Sequence, residues 1–195
     1  MTKILLIALA TAAVAVPASA QAQRAPAAVI VTVNTDRIAR DCTACRAATT
    51  TIQSQQTALR SRAQTLGQQL EAEGKPIQSA IDALNGKAPD AALQARVTAF
   101  QTKQQNAQRE LAAAERNIQS TQVNVNQQIG ARLRTIISSI ATARGANVAL
   151  DAGSALYAAP AVDVTDAVLA QLNQQLPSVS VTPLPQTQQN PSQGR

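Results

Sequence analysis

The chain has 195 residues, of which 45% are apolar and 14% charged, and 17 Lys and Arg against 11 Asp and Glu give a net charge of +6. One Phe, one Tyr and no Trp argue against a thick globular core. The lack of His removes Ser-His-Asp and Cys-His nucleophiles and His-ligated metals, and no glycine-rich phosphate loop is present. The composition therefore predicts a protein that is not an enzyme and uses no cofactor or metal.

The first twenty residues have the pattern of a secretory signal. Lys3 precedes an uncharged apolar run over 4–16, and Pro17 and three small residues follow it. The run is short for a hydrocarbon layer of ~30 Å, so an uncleaved anchor is the weaker alternative. We expect cleavage after Ala20 or Ala22, a soluble protein outside the cytoplasm, and no nucleic-acid partner despite the basic charge.

A short β-branched segment at 29–33 predicts a buried strand ahead of a long helical region. From 36 to 145 the chain is rich in Ala, Gln, Thr and Arg, and its large apolar residues recur at intervals of seven. That repeat predicts a thin coiled-coil seam. The predicted seam residues are Ile52, Leu59, Leu66, Leu70, Ile77, Leu84, Val97, Leu111, Ile118 and Val125.

The helical region contains one strong turn signal, at 85–90, where Asn-Gly precedes Pro-Asp. It divides the region into arms 36–84 and 90–144, which are nearly equal in length and so predict an antiparallel hairpin. Gly74-Lys75-Pro76 interrupts the first arm, and we expect it to kink or split the helix there.

After the hairpin, 147–151 and 155–159 predict two more strands, and 163–176 predicts a short helix with Thr165 as its N-cap. The Pro- and Gln-rich residues 177–195 predict a disordered tail.

The residues outside the hairpin, 21–35 and 146–176, are too few to form a stable core alone, and short strands leave unpaired edges. We therefore expect a small β/α body that is completed by self-association. Its apolar residues, assigned to the body or to contacts between copies, are Val29, Val31, Val33, Val148, Leu150, Leu156 and Tyr157.

Positive charge is concentrated in the hairpin. Residues 36–145 carry 14 basic and 8 acidic side chains, a net of +6, whereas 146–195 carry one basic and three acidic, a net of −2. Several hairpins pointing the same way would attract acidic chains and anionic lipid headgroups, although the charge can also serve only solubility. The candidate residues are Arg60, Arg62, Arg96, Lys103, Arg109, Arg116, Arg132 and Arg134.

Cys42-Thr43-Ala44-Cys45 is the sharpest local motif in the chain. Arg46 stands where haem attachment needs a His, and zinc would need a second ligand pair that the chain lacks. In an oxidising compartment a local disulfide between Cys42 and Cys45 is favoured, with bridges between subunits as the main alternative. A redox-active pair is a further alternative, which the hairpin pattern disfavours.

Taken together, residues 28–176 resemble the Skp (OmpH-like) family of periplasmic chaperones of outer-membrane proteins. The most specific part is NVALDAGSALYAAPAVDVTDAVLAQLN, residues 147–173, and VIVTVNTDRI, residues 29–38, resembles the family's first strand. The resemblance implies a mainly α fold in which a long antiparallel coiled-coil hairpin, or tentacle, is inserted between short strands of a trimerising β-barrel body.

The same resemblance implies a function. It indicates an ATP-independent periplasmic holdase, a homotrimer that keeps unfolded outer-membrane β-barrel proteins in a cavity between its tentacles. Anionic lipid or lipopolysaccharide is a further partner consistent with the basic arms. An envelope adaptor that docks a partner through its coiled coil is the alternative.

Overall fold

The computed structural model describes residues 26–185, so the predicted signal segment and its cleavage site lie outside the described residues. Within this range the chain is mainly helical with one small sheet, as predicted. No helix in the described part is long and apolar enough to cross a membrane. The elements are β1 (Ile30–Val33), α1 (Thr35–Asp41), α2 (Thr43–Asp82), α3 (Ala91–Ala143), β2 (Val148–Asp151) and α4 (Thr165–Gln175), with 3₁₀ turns at Ala152–Ser154 and Pro160–Val162.

Helices α2 and α3 form an antiparallel hairpin. At 1.5 Å per residue, the 40 residues of α2 span about 60 Å and the 53 residues of α3 about 80 Å. Cross-helix contacts fix the direction, because Arg62 meets Glu110 while Glu73, eleven residues further along α2, meets Lys103. The helices therefore run side by side from the strands to the far turn.

The far turn connects the two helices through a left-handed backbone conformation that few residue types adopt. Asn85 and Gly86 have φ angles of 48° and 84°, which end the first arm in the left-handed region. Asp90 then caps α3, since its side chain accepts a hydrogen bond of 2.7 Å from the backbone N–H of Leu93. The turn residues thus explain why the chain reverses here.

The first arm is interrupted at its base and not at Gly74-Lys75-Pro76. Helix α2 runs unbroken through Pro76, so of the two predicted outcomes, a kink or a split, the split into two helices is wrong. Pro76 and Ala72, whose carbonyl loses its helical partner, are both exposed, and water can satisfy that carbonyl. The break lies instead at Cys42, whose extended backbone separates α1 from α2.

The sheet has two parallel strands, with Ile30 of β1 opposite Val148 of β2, and the whole hairpin forms the connection between them. On its other side β1 makes a single parallel bridge from Thr32 to Asp163. The sheet packs with α1, α4 and the base of the hairpin around one core, whose fully buried members include Ile38, Ile136 and Leu172. The core therefore sits where the two hairpin helices meet the strands.

Two predictions for the C-terminal part are wrong. Residues 155–159 form no strand in the described chain, since they pair neither with β1, which is flanked by β2 and the bridge at Asp163, nor with the free edge of β2. Thr165 is the first residue of α4 and not its N-cap. Asp163 accepts a hydrogen bond of 2.8 Å from the N–H of Thr165, whose hydroxyl accepts one of 2.9 Å from the N–H of Asn34.

The tail begins as an ordered segment, which differs from the prediction of disorder from Pro177 onward. Residues 177–185 lie along the hairpin, where Val179 and Val181 pack on Ile52 and Val125. The prediction missed this contact because Pro-rich polar composition carries no sign of an external surface on which to pack. Residues 186–195 lie outside the described part of the chain.

Candidate functional site

The predicted seam residues all lie on the inner side of the hairpin. Ile52, Leu66, Ile77 and Val125 are buried, and the other six, Leu59, Leu70, Leu84, Val97, Leu111 and Ile118, are half-buried. The seven-residue spacing missed Leu93 and Thr121 of α3, which are also buried. Leu93 lies one helical turn before Val97, so the i, i+4 spacing of a helix would have identified it. Beyond the part of the hairpin that the tail covers, each seam residue is covered only by the opposite helix.

Phe100, the only Phe in the chain, packs where the opposite helix has no side chain. A Cβ added at Gly74 would lie 3.0 Å from the Cζ of the Phe100 ring. Gly74 therefore provides the space for the one large aromatic residue of the seam, which explains a glycine inside a long helix.

Two of the eight candidate basic residues form ion pairs between the arms. Arg62 is bidentate to Glu110, with Nε–Oε1 at 2.5 Å and Nη2–Oε2 at 3.1 Å, and Lys103 pairs with Glu73. The Arg62–Glu110 hydrogen bonds raise the pKa of Arg62 and lower the pKa of Glu110. These side chains tie α2 to α3, and their charges are already matched.

The remaining six candidates are exposed and form no ion pair within the described residues. Arg109 donates a hydrogen bond to the neutral side chain of Asn106. Among the eight candidates, the unmatched positive charge therefore resides on Arg60, Arg96, Arg109, Arg116, Arg132 and Arg134.

A groove of about 450 Å³ runs between the arms in the half nearer the base. Leu59, Leu111 and Ile118 contribute apolar surface, and the Arg62–Glu110 pair lies beside them. Pro183 of the tail also lines this groove. The groove offers apolar surface and neutral polar side chains beside one matched ion pair, which suits it to binding.

The predicted residues of the body divide into two groups. Val31 and Val33 are buried in the chain's own core and Val148 is half-buried, so these three side chains belong to the body of a single chain. The rest are exposed: Tyr157 retains 83% of its surface, Leu156 is fully exposed, and Val29 and Leu150 are more than 40% exposed. These four residues leave apolar surface on the base of a single chain.

Cys42 and Cys45 are joined as a disulfide at the start of α2. Both side chains are buried in the core of the base, and the Sγ of Cys42 accepts the N–H of Cys45 at 3.2 Å as the helix cap. The bridge thus fixes the junction of α1 and α2, where the chain leaves the body and enters the arm. Its burial is typical of a structural disulfide.

The fold defines a class of protein in which a long antiparallel helical hairpin is inserted between two parallel strands. A C-terminal helix packs against the base of that hairpin. The sequence model of the OmpH-like outer membrane protein family matches residues 29–172, and the chain belongs to that family. The resemblance seen in the sequence is confirmed. A comparison with curated proteins finds no match.

A solved structure shares the fold. It is the crystal structure of an OmpH-like protein from Caulobacter crescentus CB15, described as a candidate outer membrane chaperone. The two chains are 21% identical and superpose with a TM-score of 0.65, and the match covers 82% of this chain and 93% of the other. The likeness extends over the hairpin as well as the base.

Proposed function

We propose that the protein is an ATP-independent holdase that binds unfolded outer-membrane β-barrel proteins in the periplasm and prevents their aggregation. The observation that carries the proposal is the long hairpin on which six of the candidate basic residues are unmatched, together with a small base that leaves apolar side chains exposed. Membership of the OmpH-like family supports it. The signal pattern, with cleavage after Ala20 or Ala22, supports export to the periplasm.

The holding cavity of this proposal requires several copies. The exposed Val29, Leu150, Leu156 and Tyr157 supply the contact surface, and the outer edge of β2 supplies unpaired backbone groups. Three copies joined through these residues would complete a barrel-like body and place the hairpins around a common space. Anionic lipid or lipopolysaccharide would meet the same basic arms.

The assembly is tested by light scattering coupled to size exclusion. Tyr157→Asp should weaken the oligomer at least about tenfold, because it places a charge in the contact while the side chain touches little of its own chain. Tyr157→Phe is the matched control. A wild-type protein that is monomeric at every concentration would contradict the trimer.

The holding activity is tested by diluting a denatured outer-membrane β-barrel protein from urea, with and without the chain, and following turbidity. A several-fold excess should suppress aggregation. Replacing Arg60, Arg96 and Arg116 by Gln should weaken the effect on an acidic client at low salt, because these charges are unmatched. Arg62→Gln with Glu110→Gln is the control, since it removes a matched pair and leaves the net charge of the arms unchanged. Unchanged aggregation with the wild-type protein would overturn the proposal.

A further inference from the structure

The tail crosses the hairpin in a way that points to a binding site not yet assigned. Residues 179–184 lie along α2 and α3, and their hydrogen bonds to the hairpin use only the tail's backbone. A surface that contacts the backbone of a segment does not depend on which side chains the segment carries. The contact is therefore suited to many sequences.

Gln128 makes the most informative contact. Its Oε1 accepts the N–H of Ser180 at 2.9 Å and its Nε2 donates to the carbonyl of the same residue at 3.0 Å. One side-chain amide thus pairs with both backbone groups of a residue, as a neighbouring strand does in a sheet. Ser180 is thus held through its backbone alone.

Further polar side chains continue this pattern along the tail. Gln55 Nε2 donates to the carbonyl of Val181 at 3.3 Å, and Asn124 Nδ2 donates to that of Thr182 at 3.0 Å. The hydroxyl of Ser120 accepts the N–H of Leu184 at 2.9 Å. Both helices of the hairpin therefore contribute to one row of backbone contacts.

The side chains of the tail alternate in the manner of a strand. Val179 and Val181 pack on the apolar surface around Ile52, while Ser180 and Thr182 are exposed. Transmembrane β-strands of outer-membrane barrels show the same alternation of apolar and polar residues. The tail thus has the pattern of the segments that such a barrel contains before it folds.

We propose that the surface beneath the tail, formed by Gln55, Ser120, Asn124 and Gln128 around Ile52 and Val125, is a binding site for extended polypeptide with alternating apolar and polar residues. The chain's own residues 179–184 occupy it as a tethered competitor. The claim that client segments bind at this site rests on the holdase function proposed above. The claim that the site binds an extended peptide does not depend on that function.

Because the competing tail is part of the same chain, it can cover the site and still be displaced by a ligand that binds more strongly. A flexibly linked segment competes at an effective concentration of about millimolar, so a free peptide must exceed that level or bind with several contacts at once. An unfolded barrel protein carries many alternating segments and can displace the tail by multiple engagement. The tail would then exclude short or isolated peptides.

The test uses the full chain and a fluorescein-labelled synthetic peptide with the sequence of residues 177–185, measured by anisotropy. Val179→Asp with Val181→Asp should release the tail, and this variant should bind the peptide at least about tenfold more tightly than the wild type. The matched control is Ser180→Asp with Thr182→Asp, which adds the same charge to exposed positions and should bind like the wild type. Unchanged helical circular dichroism verifies the fold of each variant.

A second pair of variants tests the contact itself. In the tail-released chain, Gln128→Ala removes two backbone hydrogen bonds and should weaken peptide binding about tenfold. Gln127→Ala, an exposed neighbour on the same helix, should leave it unchanged. Equal peptide binding by wild-type and tail-released chains, no binding up to about 1 mM, or no effect of Gln128→Ala would each overturn the site.

The turbidity assay separates this inference from the holdase proposal. Suppressed aggregation without peptide binding by the tail-released chain would overturn the site and leave the holdase function standing. Peptide binding without suppressed aggregation would support the site and overturn the holdase function.

Discussion

The base of the molecule and the arms of the hairpin bury their apolar residues in different ways. In the base, β1, α1, α4 and the near ends of α2 and α3 enclose one continuous core, in which Val168 and Leu172 have no exposed surface. Beyond Ile52 and Val125, the buried residues of the arms, among them Leu66 and Leu93, are isolated and covered by a single opposing helix. Stability is therefore concentrated at the base, and each apolar side chain of the arms contributes less to it.

The largest expected effect comes from truncating one leucine in each region. Leu172→Ala should lower the free energy of unfolding by about 3–5 kcal/mol, because a cavity in an enclosed core cannot collapse. Leu66→Ala should lower it by about 2 kcal/mol, because the neighbouring arm can relax toward the gap. Urea unfolding followed by circular dichroism at fixed protein concentration measures both. Equal losses would show that the arms are packed as tightly as the base.

A smaller effect distinguishes positions within one arm. Gly67→Ala should raise the free energy of unfolding by about 0.5–1 kcal/mol, since a Cβ there meets nothing within 4 Å and alanine favours the helix. Gly74→Ala should gain less or destabilise, because its Cβ meets the Phe100 ring at 3.0 Å. In a chain that already carries Phe100→Leu, Gly74→Ala should raise the free energy of unfolding as much as Gly67→Ala does in the wild type. An equal gain at both glycines would mean that the ring is not confined by the seam.

The smallest expected effect concerns the acid sensitivity of the base. Hydrogen bonds from Thr165 lower the pKa of Asp163, so its stabilising contribution is present above the ordinary aspartate pKa of about 3.9 and is lost as the pH falls through the lower folded value. Asp163→Asn should therefore cost less than about 1 kcal/mol at pH 7, given its exposure, and the difference from wild type should shrink below about pH 4.

Urea titrations from pH 7 to 3 measure this difference. Thr35 and Gly153 lower the pKa of Asp151 by the same kind of hydrogen bond, so Asp151→Asn should behave alike. Glu115→Gln, at an exposed position of the arm with no ion pair in the described part of the chain, is the control. A difference that grows on acidification would contradict the assigned direction.

Local patterns in the sequence were sufficient for the arms. The seven-residue repeat identified ten inward-facing residues, and Asn85-Gly86 marked the turn, because both depend on helix geometry within a few neighbouring residues. The same reliance on local sequence led to the wrong expectation that the helix would be split at Pro76. Whether a proline breaks a helix depends on whether water or a neighbour satisfies the freed carbonyl, which is not encoded locally.

The sequence by itself determined the helical hairpin, its turn, its seam and its basic charge, since these follow from periodicity and composition. Only the tertiary structure decided that Arg62 and Lys103 are matched by carboxylates of the opposite arm, that 155–159 forms no strand in the described chain, and that 177–185 lies along the hairpin. Each of these depends on groups far apart in the chain, and the energy of such a contact exists only once folding has brought its two sides together.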